Sequence, residues 1–119
     1  MLTDKDHCDY ETCVALSELG CPVPKYATIN IHTKEKELKM WISLYNAQKW
    51  LREEKGKHIE INLQFLSEEK RWYWGFTIIH FDNPHLVTIN GDYSSYEETL
   101  SEAIKEAVKI LKEEDNDKK

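Results

Sequence analysis

The sequence predicts an α+β fold: a mainly antiparallel sheet of four or five strands with two or three helices largely on one face. Three observations carry this. Between Ser43 and Phe81 the apolar residues change from helical spacing to strict alternation, and the alternation then runs through two successive segments. An earlier pair of alternating segments, Tyr26–His32 and Leu38–Ile42, precedes them, and a long amphipathic helix follows. At 119 residues and 40% apolar composition, the chain can bury one core without disulfides or metal. The expected organisation is a flexible N-terminus (1–9), a single α+β domain (10–112) and a charged flexible tail (113–119).

Tyr10–Leu19 has the spacing of a short helix with Tyr10, Cys13, Leu16 and Leu19 inward and Gly20 near its end. Cys21-Pro22-Val23-Pro24 cannot continue it, because two prolines remove amide donors and hold the backbone extended. Ala27, Ile29 and Ile31 alternate with Thr28, Asn30 and His32, a polar turn covers Thr33–Lys36, and Leu38, Met40 and Ile42 resume the alternation. Ser43 can then cap a helix with Leu44, Ala47, Gln48 and Leu51 on one side and Ile42 stapled over Ala47, closed by Gly56.

Ile59, Ile61, Leu63 and Phe65 alternate with polar residues in the next strand, and a charged turn, Ser67–Arg71, leads into the aromatic and β-branched strand Trp72–Phe81. Asn83-Pro84 breaks this strand, and Leu86–Ile89 reads as a short final one. Ser95-x-x-Glu98 is a capping box, followed by a stripe of Leu100, Ala103, Ile104, Ala107, Val108 and Leu111.

The formal charge of −6 argues against a nucleic-acid or anionic-membrane partner, whose phosphates such a field repels. No apolar run reaches membrane-spanning length, and Thr3–Asp9 is charged where a signal peptide needs apolar residues, so a cytoplasmic location is expected. In a reducing compartment Cys8, Cys13 and Cys21 are most simply free thiols. With His7 they offer four ligands for zinc, but their spacings are not paired Cys-x-x-Cys knuckles.

The string Asn46-Ala-Gln-Lys-Trp-Leu-Arg-Glu53, followed by Gly56, a Trp-rich strand and Tyr93-Ser-Ser-Tyr-Glu-Glu98 leading into Ala103–Leu111, resembles a group of small uncharacterised proteins of Bacteroidetes and their phages or prophages. The resemblance covers roughly Ser43 onward; the hairpin between Tyr26 and Ile42 carries none of it. It implies a bacterial or phage-encoded accessory protein and transfers no chemistry.

Catalytic machinery is not legible. His58 and His80 fall on or beside the central strands, and His80, Asp82 and His85 cluster in sequence, but neither a HExxH pattern nor a carboxylate pair at helical spacing accompanies them. No catalytic residue, cofactor, metal ligand or small-molecule ligand is assigned on this reading. The informative excess is aromatic. Along the strand Trp72–Phe81 the even residues oppose the odd ones; with the even set turned to the helices, Tyr73, Ile79 and Phe81 form a candidate interaction face. The expected function is therefore non-catalytic protein interaction, with self-association its simplest form. The alternatives are a single-stranded nucleic-acid module stacking bases on the sheet aromatics and a small enzyme with a His-centred site.

Overall fold

The computed structural model describes the backbone of residues 6–81 and 85–117 and the side chains of 6–81 and 91–116. Among these residues the chain is α+β, with the order α1 (Tyr10–Glu18), β1 (Lys25–Ile29), β2 (Lys36–Met40), α2 (Leu44–Lys55), β3 (Lys57–Leu66), β4 (Arg71–His80), β5 (His85–Tyr93) and α3 (Tyr96–Asp117). All strand pairs are antiparallel, and the five strands are divided between two sheets: β1-β2, and β3-β4-β5 with β4 central. The sequence reading placed them in one sheet; α2 carries the chain away from β2 before β3 begins, and β3 takes β4 as its partner.

Local chemistry sets the boundaries. Asp9 caps α1, its carboxylate accepting from the Thr12 amide at 2.8 Å. Ser43 caps α2 through the Asn46 amide, and Gly56 ends α2 at φ 65°, the left-handed conformation glycine adopts without a Cβ clash. At α3 the Glu98 amide donates to Ser95 Oγ at 3.1 Å, while the Glu98 carboxylate reaches the amide and hydroxyl of Ser94. β5 is longer than expected and runs to Tyr93, whose ring lies where a side chain on Gly91 would have to stand and stacks on Phe76.

The core gathers around α3, which contacts all three strands of the larger sheet as well as α1 and α2. Leu100, Ala103, Ile104, Ala107, Val108 and Leu111 are buried with Cys13 and Leu16 of α1, Leu44, Ala47 and Leu51 of α2, and Ile59, Phe76 and Ile78 of the sheet. Tyr10, expected inward, is exposed, because α1 is packed through Thr12, Cys13 and Leu16. Ion pairs from Lys105 to Asp9 (3.1 Å) and from Lys112 to Glu18 (3.3 Å) tie both ends of α1 to α3, so the two helices run side by side in the same direction.

Within the described residues both ends of the chain make contacts with the rest of the domain. His7 bridges to Ser43, the Cys8 amide donates to the Ile42 carbonyl at 3.0 Å, and Cys8 is buried. At the other end α3 continues through Asp117, because Glu114 reaches the buried ammonium of Lys57 at 2.9 Å and so anchors a turn that composition alone marks as solvated.

The β1–β2 hairpin stands off this core. Asn30 Oδ1 accepts from the His32 and Thr33 amides to form its turn, and the Trp41 amide closes its base on the Pro24 carbonyl. The molecule is accordingly elongated, with a radius of gyration of 16.6 Å against about 13–14 Å for a compact chain of this size.

Truncating Ile104 to Ala in the fully buried stripe is expected to cost about 2–5 kcal/mol in chemical denaturation; a loss under about 0.5 kcal/mol would contradict the packing described. The cap at Asp9 gives a pH-dependent counterpart. Partial burial acts to raise its pKa, but the hydrogen bonds from Thr12 and the pairing with Lys105 outweigh it and hold the carboxyl below its ordinary value. Its contribution is therefore present above the unfolded carboxylate pKa and is lost as pH falls through the folded one. Asp9→Ala should cost about 1 kcal/mol at neutral pH, and the gap to wild type should close on acidification through the carboxylate range, as read from melts across pH.

Candidate interaction surfaces

Alternation along β4 resolves the two faces of the larger sheet. Phe76, Ile78 and His80 are buried on the helix side, and Tyr73, Thr77, Ile79 and Phe81 lie on the other. Phe81 is 59% exposed, whereas Tyr73 and Ile79 are half-buried. This helix-free face is knitted by cross-strand pairs: the Tyr73 hydroxyl donates to Gln64, Asn62 Nδ2 donates to Thr77 Oγ1 at 2.9 Å, and Phe81 stacks on the His58 ring at 6.0 Å. Tyr73 stands about 20 Å along the strand from Ile79. The three residues therefore share a face without forming one patch.

A more continuous apolar surface lies on the opposite side, at the end of the sheet that α2 and α3 leave uncovered. β3 and β4 each span ten residues, about 33 Å of strand, and α2 spans twelve, about 18 Å of helix. Near the Lys57 end, Ile59 and Ile78 are covered; toward the β3–β4 turn, Leu63, Phe65 and Trp72 are 47%, 51% and 62% exposed on that same face. Phe65 pairs with Trp72 in register, their rings 5.2 Å apart, and Leu63 pairs with Trp74. Trp74 meets the edge of Tyr96 in the first turn of α3 at 5.8 Å, which marks where helix cover ends. Sequence reasoning missed this overhang by treating the whole alternating face as core; periodicity names the face, and only the placement of α2 and α3 on it shows how far cover extends.

The β1–β2 hairpin is the second apolar surface. Register places Ala27 opposite Leu38, Lys25 opposite Met40 and Ile29 opposite Lys36, so Ala27, Ile29, Leu38 and Met40 share one face bordered by two lysines. Ile29 is 63% and Leu38 70% exposed.

The residues considered for chemistry do not converge. His58 and His80 lie on opposite faces of the sheet, His58 3.7 Å from the Glu60 carboxylate and His80 3.9 Å from that of Glu114, both distances beyond direct hydrogen-bond reach. Asp82 and the side chain of His85 lie outside the described residues, so the proposed His80, Asp82, His85 cluster does too. The start of α3 opens on a cavity of about 560 Å³ lined by His7, Asp9, Glu97, Glu98 and Glu102, an acidic lining that suits no anion. Among the described residues no group of three or more His, Cys, Asp or Glu is placed to hold a metal ion, and no helix is long and apolar enough to cross a membrane.

Cys8, Cys13 and Cys21 are free and buried in the α1 end of the core. Burial, reinforced by the neighbouring thiols, pushes Cys8 up to about 12 and Cys21 up to about 11, and burial raises Cys13 as well. Because the thiolate is the nucleophile, native protein at mildly alkaline pH should alkylate at least about a hundredfold more slowly than protein in urea, followed by mass spectrometry. Rapid native labelling of any of the three would place that thiol at the surface.

Comparison with protein-family models, with curated proteins and with solved structures finds no match to this chain.

Proposed function

We propose that the protein is a non-catalytic interaction protein, an accessory factor of bacterial or phage origin acting in the cytoplasm, and that its simplest partner is a second copy of itself. The observation that carries this reading is the overhang of Leu63, Phe65 and Trp72: exposed rings on a rigid ladder, continuous with the core face, which bury much area at little entropic cost when a partner covers them.

A second copy supplies a fitting cover. A two-stranded hairpin is marginal in water with its apolar face bare. Between Lys25 and Met40 the hairpin carries four lysines against two glutamates, although the chain as a whole is −6. The basic hairpin of one copy thus complements the acidic body of another, and reciprocal docking of hairpin on overhang closes as a two-fold dimer. The aromatic platform suits nucleic acid less well, since Arg71 beside Trp72 is engaged by Glu69 and by Asp92 at 2.6 Å. The resemblance to small phage and prophage proteins accords with an accessory role.

Sedimentation across a concentration series tests the reading. Wild type should pass from monomer to dimer, and Leu63→Ser with Trp72→Ser, or Ile29→Ser with Leu38→Ser, should each weaken association about tenfold or more while leaving the melting transition cooperative. Tyr73→Ser with Phe81→Ser, on the opposite face, should leave dimerisation unchanged. Wild type that remains monomeric throughout would remove self-association, and an effect confined to the Tyr73 and Phe81 variant would move the interface to the helix-free face.

A further inference from the structure

A separate groove lies on the outer side of α2. Asn46, Lys49, Trp50, Glu53 and Glu54 recur at helical spacing and form one wall; the other is the Cys21–Pro24 segment together with Trp41, and the two enclose a cavity of about 320 Å³. That volume suits a small molecule or a headgroup. The walls are preformed: Leu44, Ala47 and Leu51 fix α2 from its buried side, and Pro22 and Pro24 hold the facing segment extended.

The lining combines two indoles and two prolines with the carboxylates of Glu53 and Glu54, against which Lys49 sets a single positive charge. Indole faces attract cations through the ring quadrupole, and Trp50 already does so within the chain, with the Lys55 ammonium 5.5 Å from its ring centroid. We infer that this groove is a binding site for an alkylated ammonium group, a small organic cation of the choline type. Charge and shape select this class together. Two carboxylates favour a cation, but a primary ammonium or a guanidinium places its N–H donors on Glu53, Glu54 and water at the rim and gains little from walls of Trp and Pro. A methylated ammonium carries its charge without N–H donors and places methyl groups against the rings.

Binding is read from the indole N–H resonances of Trp41 and Trp50 in heteronuclear NMR spectra of the full chain, titrated with choline, with its neutral carbon isostere dimethylbutanol, and with its unmethylated analogue ethanolamine. Choline should shift both resonances saturably while leaving those of Trp72 and Trp74 in place, and the two controls should bind at least about tenfold more weakly. Glu53→Gln with Glu54→Gln, both exposed and outside the core, should weaken choline about fivefold without changing the fold. Absence of a saturable shift, equal binding of dimethylbutanol, equal binding of ethanolamine, or an unchanged affinity in the double variant would each overturn the assignment. None of these outcomes bears on dimerisation, which uses other residues.

Discussion

The fold depends on burying α3 from more than one side. Six apolar positions spread over three turns make too broad a stripe for one layer to cover, so the sheet takes part of it and α1 and α2 the rest. Ala103 and Ala107, one turn apart and fully buried, keep the helix slim enough for neighbours to approach closely. The nine residues of α1 would be marginal alone. They persist because Cys13 and Leu16 enter the same core, with Lys105 and Lys112 of α3 paired to either end. Surface pairs of this kind contribute little energy each, and their service here is to fix the direction in which α1 lies.

That single centre also explains where cover is lacking. α3 begins at Tyr96 against Trp74 and leaves by way of Lys57 and His80, so it spans the end of the sheet where β3 starts and β4 finishes. Among the described residues, no helix covers the opposite end, around the β3–β4 turn. It is held by its own backbone ladder and by the Asn62–Thr77 and Tyr73–Gln64 bonds on the reverse face. The exposed Phe65 and Trp72 therefore sit on a scaffold whose order does not require them to be buried, the condition under which a surface aromatic can persist without distorting the core.

Much of this architecture was legible in the sequence, and the limits have physical causes. Ser43, Gly56 and Ser95 announced their helix ends because caps are local chemistry read from one or two side chains. The inner residues of α3 and the even face of β4 followed from periodicity. Periodicity names a face, however, and not how far along it cover extends, so Leu63, Phe65 and Trp72 read as core. The division into two sheets and the anchoring of Glu114 on Lys57 are long-range facts to which a charged terminal turn gives no local clue. The groove was hidden for a related reason: Trp41 precedes α2, Trp50 lies within it, and Pro22 and Pro24 come a strand pair earlier, so only the fold brings them together.

α2 couples the core to that groove by geometry alone. Its inner residues Leu44, Ala47 and Leu51 are locked, and Gln48 Nε2 donates to the Ile59 carbonyl at 3.1 Å, which pins the helix rotationally to β3. Successive residues of a helix are set about 100° apart, so fixing one face fixes the other. The backbone positions of Trp50, Glu53 and Glu54 are thus set by the same contacts that stabilise the fold. A ligand entering between them and Pro22–Pro24 needs no helix rotation and no closure of the chain. Its affinity is then set by what the rings and carboxylates return against desolvation and against the ordering of the exposed Glu53 and Glu54 side chains.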